Sequence, residues 1–294
     1  MDAALEWQSP NRRDYGIGVI VREWASGDSG MKALTYLRQA ADRETVRVAA
    51  APLVRGWAQS GDVRGATRLA IQLARDDAYP GLQQALARGV FYSQGAGETV
   101  RWAQDLAEQD DSDFGTGILR TSIKLVSGPD PERGIRWLEA NPEHPLAKEI
   151  LPNITGNWAG EDPAAALLWL STRPHGPERN RALSGAMQIW ATRNVSDAKT
   201  WLEGRPLVGE ALQGVLPPFL KRLARQDPQA ASQWIDQLED PKRRSNLIRL
   251  IARRWAAVDR DAASAWLSEL ANSSDETILK VEDALGRRMR NPQV

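Results

Sequence analysis

Tryptophans recur at two fixed offsets along this 294-residue chain, and that recurrence narrows the possible folds more than any other feature. Trp158 and Trp169 are eleven residues apart, as are Trp190 and Trp201, and Trp255 and Trp266. Leu223 and Trp234 keep the interval, with leucine in the first slot. The step from one first slot to the next, through Trp158, Trp190, Leu223 and Trp255, is constant to within a single position. Such a period means that each unit is one small supersecondary element that hides its apolar face against the next. Towards the N-terminus the first slot continues through Val126, Phe91, Trp57 and Trp24, and the second through Trp137 and Trp102. The second slot degenerates near Leu69 and Tyr36. This gives eight units of about 32 to 35 residues, the period of helical-hairpin repeats. Eleven of the twelve tryptophans fall in slots, and Trp7 lies outside them.

Each unit has the pattern of two helices. Seven and four residues before the first slot, most positions are apolar, as in Ile17 and Ile20, Leu183 and Ala186, or Ile248 and Ile251. That spacing lays one stripe along a helix. Four residues after the slot comes a breaker: Asp28, Gly61, Gly95, Asp130, Asp162, Asn194, Asp227 or Asp259. Proline follows at 131, 163 and 228. Asp-Pro is an N-cap followed by a first-turn proline, so a second helix starts there. Small residues four further on (Gly65, Thr99, Gly134, Ala166, Ala198, Ala231 and Ala263) let the two helices approach closely. Prolines also fall inside first helices, at Pro52, Pro152 and the pair Pro217–Pro218. They either bend the helix or expose backbone acceptors to a ligand.

On these residues the chain resembles the tetratricopeptide-like repeats. Gly56-Trp57-Ala-Gln-Ser-Gly61-Asp-Val-Arg-Gly-Ala66 looks like the middle of such a repeat. Trp158-Ala-Gly-Glu-Asp-Pro-Ala-Ala-Ala-Leu-Leu-Trp169-Leu is closer to the Trp-Ala-x-x-Asp-Pro-x-Ala-Ala-x-x-Trp-Leu repeats of uncharacterised, often exported bacterial proteins. The turn between helices is about one residue shorter than the tetratricopeptide pattern, and the Trp-Leu-Gly start of its first helix is missing. The resemblance implies an all-α, right-handed αα-hairpin solenoid over residues 15–272. It implies protein or peptide binding rather than catalysis. Ser273-Ser-Asp-Glu276, with Ile278, Val281 and Leu285 beyond it, has the pattern of a capping helix and tail over 273–294. Residues 1–14 have the polar character of a loosely ordered lead without the features of a signal peptide.

Composition excludes several chemistries. The chain has no cysteine, which removes disulfides, zinc fingers, iron–sulfur sites and thiol nucleophiles. Its 38 basic and 38 acidic side chains cancel, which counts against generic nucleic-acid binding. Helical-repeat RNA binding, whose period is close, is disfavoured on the same ground. No apolar run approaches the roughly 18 residues of a membrane span. His144 and His175 stand in inter-repeat stretches beside proline with no ligand cluster, so solvent exposure is the simpler expectation and a metal or general-base role the alternative. Glu161–Asp162 and Asp110–Asp111 could pair as acid and base, but capping explains Asp162. No phosphate-binding loop, nucleophile elbow or zinc-binding helix motif is present. We therefore expect no catalytic residue, no metal and no cofactor. The tryptophans could stack on sugars, but their fixed register marks them as core.

The remaining functional signal lies two residues before the first slot. There Arg22, Arg55, Lys124, Lys221 and Arg253 place a cation in five of the eight units. That position is about 160° round the helix from the buried slot. In tetratricopeptide-like solenoids the first helix lines the concave groove. A solvated helix face accounts for these cations most simply. The functional reading is a basic ladder for acidic side chains or a peptide carboxylate. Charge is also uneven: residues 98–113 are acidic and 221–260 basic. The expected function is a scaffold that binds a protein or extended peptide in the groove. The alternative is a glycan-associated accessory protein of the cell wall, since the superhelical arms of lytic transglycosylases are similar in architecture. The resemblance suggests a bacterial periplasm or envelope, with the cytoplasm as alternative. Oligomeric state stays open.

Overall fold

A computed structural model describes residues 10–25, 43–76, 81–109, 112–204 and 207–271, together with residues 32, 33, 35, 39 and 79. The expected capping helix, Trp7, Asp28, Tyr36 and the Asp110–Asp111 pair lie outside these residues. Among them all regular structure is helical, with fourteen α-helices, one short 3-10 turn and no strand. The chain divides into two compact units, residues 1–146 and 147–294.

In the first unit α1 spans Pro10–Ala25, α2 Arg43–Gln59, α3 Val63–Asp76, α4 Leu82–Gln109, α5 Asp113–Ser127 and α6 Pro131–Ala140. The N-terminal helix thus takes in residues 10–14, which the sequence pattern assigned to the lead. In the second unit α7 (Pro145–Glu161, which begins two residues before the division) is followed by α8 (Pro163–Ser171), α9 (Pro177–Arg193) and α10 (Val195–Gly204). Then come α11 (Gly209–Gln226), α12 (Pro228–Ser232), α13 (Pro241–Ala256) and α14 (Arg260–Ala271). In the second unit longer helices alternate with shorter ones. In the first unit α2 packs on α1, α3 and α4, and α5 on α4 and α6. In the second, α11 packs on α9, α10, α12 and α13. A long helix therefore touches both its own short partner and the neighbouring long helices.

The capping residues act as their positions require. Asp162 Oδ1 accepts from the Ala165 amide at 2.9 Å, Asp227 Oδ1 from Ala230 at 2.8 Å and Asp259 Oδ1 from Ala262 at 3.0 Å. Asp240 and Asn194 do the same for α13 and α10. Asp130 is the exception: it makes no capping bond and its carboxylate instead accepts from Arg133 Nε at 2.7 Å. The small positions Ala166, Ala198, Ala231 and Ala263 are buried.

The eleven-residue tryptophan interval proves to be a ring contact. Trp158 and Trp169 meet edge to face with centroids 6.2 Å apart, while Trp190 and Trp201 at 5.2 Å and Trp255 and Trp266 at 5.7 Å are tilted. Where the first slot is Leu223, the ring comes from Phe219, one turn earlier, at 5.3 Å from Trp234. The described slot tryptophans are buried or half-buried, none exposed. Each of these hairpins is thus closed by a pair of large apolar rings at the preferred edge or tilted geometry.

The third unit shifts the register by one. Val90 is fully buried and Phe91 is only half-buried. The step from Trp24 to Trp57, taken once more, leads to Val90 and not to Phe91. Leu86, four residues before Val90, is fully buried, whereas Gln84, expected in the apolar stripe, is exposed. Gly95, with φ of +82°, then breaks α4 into the two helices of the hairpin.

Candidate functional site

Each unit carries a groove along its long helices. In the first it has a volume of about 390 Å³. Tyr15, Val19 and Arg22 of α1 line it, with Ala51, Pro52 and Arg55 of α2 and Gln84, Ala85 and Arg88 of α4. Among the described residues lining it, none is acidic. Arg22 donates from Nε and Nη2 to Glu23 at 3.2 and 2.9 Å. Arg55 lies over the Tyr92 ring, 5.4 Å from its centroid, and its buried Nε has no acceptor. Guanidinium groups offer paired N–H donors that match carboxylates or phosphates.

Two glycines set the helix spacing beside these arginines. A Cβ at Gly56 would stand 2.3 Å from the Arg22 carbonyl oxygen, and one at Gly89 would stand 2.6 Å from that of Arg55. Only glycine tolerates such an approach of one helix to the backbone of the next.

The second unit's groove is larger, about 700 Å³. Asn180, Arg181 and Ser184 of α9 recur one period later as Gln213, Gly214 and Pro217 of α11, and after the same interval as Asn246, Leu247 and Leu250 of α13. Lys221, Arg243, Glu210 and Asp240 also line it, so its charges are mixed. The prolines bear on it directly. Pro217 and Pro218 have no N–H, so the carbonyls of Gln213 and Gly214 lose their helical donors on the groove wall. Gln213 shows what a carboxamide on this wall can do. Its Nε2 donates to the Gln237 carbonyl at 2.8 Å and its Oε1 accepts from the Glu239 amide at 3.1 Å, which fixes the link into α13.

Of the expected ladder, then, the structure brings Arg22 and Arg55 into one groove and Lys221 into the other. Lys124 and Arg253 are exposed and line neither. Arg88 was missed because the ruler was set on Phe91. Set on Val90, the position two before the slot is Arg88, and Arg22, Arg55 and Arg88 are evenly spaced along the chain.

Of the two histidines, His175 is exposed, as expected, whereas His144 is half-buried. His144 Nδ1 accepts from the Leu146 amide at 3.1 Å, and its ring packs on Trp137 at 5.4 Å. His175 Nδ1 lies 2.7 Å from Glu210 Oε2. The same oxygen is 3.5 Å from Nη1 of Arg179, a side chain only 4% exposed. Arg179 Nε and Nη2 donate to the carbonyls of Leu170 and Ser171 at 3.0 and 3.2 Å. A buried guanidinium here satisfies the last carbonyls of α8, where positive charge also suits the helix dipole. The cluster joins three elements structurally. Among the described residues no group of three or more histidines and carboxylates converges as a metal site would. No described helix is long and apolar enough to cross a membrane. Compared with protein-family models and with curated proteins, the chain matches none.

Proposed function

We propose that this protein is a non-catalytic scaffold that receives a protein segment or extended peptide along its long-helix faces. In this reading the hairpins form a tetratricopeptide-like solenoid of about eight repeats, and each unit receives its ligand in its own groove. The observation that carries it is the recurrence of groove-lining positions at one constant interval: Arg22, Arg55 and Arg88 in the first unit, Asn180, Gln213 and Asn246 in the second. A polar surface repeated at the spacing of helices offers an extended chain one contact per repeat.

Site-specific photo-crosslinking tests it. A benzophenone side chain is placed at Gln84 and at Ser184, in the grooves, and at Arg101 and Glu132 outside them. The peptide crosslinked from the protein's native source is then sequenced, synthesised and titrated against the purified chain. Capture of one peptide sequence from the groove positions alone, with saturable binding of its synthetic copy, is the expected result. Equal capture at the outer positions would remove the groove as the binding surface.

A further inference from the structure

We propose that the first unit's groove is a track for an extended acidic peptide whose carboxylates stand roughly three residues apart, held by Arg22, Arg55 and Arg88. The proposal rests on the groove-binding reading and adds the chemistry and spacing of the occupant.

The three arginines come from successive long helices and line one wall, at equal intervals in the sequence. All three are half-buried, and taking a cation partly out of water is unfavourable without a counter-charge. Only Arg22 has one, the exposed Glu23 on its own helix. Arg55 and Arg88 make no ion pair among the described residues, and the buried Arg55 Nε–H lacks any acceptor. Among the described residues the groove thus carries two positive charges without an ion-pair partner. Between the rungs the wall is small or flat, with Gly18, Ala51, Pro52 and Ala85, which leaves room for a main chain.

Spacing narrows the ligand. Packed helices lie about 8–10 Å apart, and Gly56 and Gly89 hold these towards the close end. An extended chain advances about 3.3 Å per residue, so about three residues span one rung to the next. The second unit's groove lacks this preference, because Arg243 is paired with Asp240 at 3.8 Å and Glu210 adds a further carboxylate.

The test is fluorescence anisotropy on the full chain with three fluorescein-labelled peptides of equal length. One carries three glutamates at every third position, one the same glutamates in a block, and one glutamines in their place. The expected result is about tenfold tighter binding of the spaced peptide than of the glutamine peptide, the scale of a single charge-assisted hydrogen bond. The spaced peptide also binds several-fold tighter than the block. Arg88→Gln reduces that preference severalfold, and Arg55→Gln with Arg88→Gln abolishes it. Arg101→Gln, outside the groove and paired with Glu98, leaves it unchanged. Circular dichroism of each variant checks folding, and Arg55→Lys with Arg88→Lys retains charge but loses paired donation, giving an intermediate affinity. Equal binding of the glutamate and glutamine peptides, or a preference that survives the double variant, overturns the acidic track. If the Gln84 crosslinks still form in that case, groove binding stands without it. If they also fail, the broader reading falls as well.

Discussion

Arg179 shows how a single side chain can matter more to this protein than any surface ion pair. Its guanidinium is buried, and two of its donors end on the last carbonyls of α8. Arg179→Leu removes the Ser171 carbonyl's donor and leaves the Leu170 carbonyl with the Arg173 amide, while keeping much of the packed volume. We expect a loss of about 2–3 kcal/mol in urea unfolding, from the charge-assisted hydrogen bonds. Glu210→Gln should lose less than about 1 kcal/mol, because Glu210 is half-exposed and water screens the pair. Comparable losses for the two variants would mean that the ion pair, not the capping of α8, holds the cluster. Asp130 gives a pH signature at the same scale. The Arg133 side-chain hydrogen bond holds its carboxyl below the usual 3.8. A carboxylate with a lowered folded pKa stabilises the fold above its unfolded pKa, and that contribution is lost as pH falls through the lowered value. Asp130 is half-exposed and solvent screens its pairing with Arg133, so the effect on stability is slight, but NMR titration resolves it. Arg133→Gln should move the Asp130 midpoint upward, and an unmoved midpoint would remove Arg133 as the cause.

At the scale of the helix, the caps and the glycines carry the sequence-to-structure argument. Asp162→Ala and Asp227→Ala each remove a bond to an otherwise unsatisfied helix N–H, with an expected destabilisation of about 1 kcal/mol. Asp130→Ala should cost distinctly less, since Asp130 makes no capping bond. Thermal melts of the three variants rank them, and an equal loss at Asp130 would sink the distinction. Glycine substitutions separate two uses of one residue. Gly89→Ala drives a methyl group into the Arg55 carbonyl, and overpacking of this kind costs about 1–3 kcal/mol. Gly185→Ala meets open space within α9, and alanine's helix preference should instead add about 0.5–1 kcal/mol. If both lose stability alike, close approach is not what Gly89 provides. These elements were legible because they are local: a cap needs only its own first turn, and a small residue only its hairpin partner. The tryptophan period announced a hairpin, although the direct ring contact behind it emerged only in three dimensions. The register slip at Phe91 escaped because two adjacent apolar residues fit the slot equally well in one dimension. The step from Trp57 points to Val90 and the eleven-residue interval to Trp102 points to Phe91; burial decides for Val90, and Arg88 depends on that choice. The His175–Glu210 contact spans 35 residues, where packing between hairpins, not local pattern, decides which side chains meet.

At the scale of the molecule, each of the two units carries buried apolar residues of its own. Leu53, Leu86 and Ile118 are fully buried in the first unit, and Leu183, Phe219 and Ile251 in the second. Where each element is stabilised chiefly by its neighbours, damage stays near its source. Leu53→Ala removes side-chain volume from α2 and should cost about 2–5 kcal/mol locally. In native-state hydrogen exchange, amides of α1, α2 and the first half of α4 should lose protection, while those of α11 and α13 keep theirs. Phe219→Ala should give the reverse pattern. A uniform loss of protection after either substitution would show one cooperative body and defeat the repeat reading. The outcome also bears on binding. If stability is local, the arginine-lined wall can loosen while the second unit stays folded, and a peptide spanning α1, α2 and α4 then stabilises those helices first. Adding the spaced-glutamate peptide should therefore raise protection in these helices before any other. Protection that rises equally in α11 and α13 would place the bound peptide elsewhere.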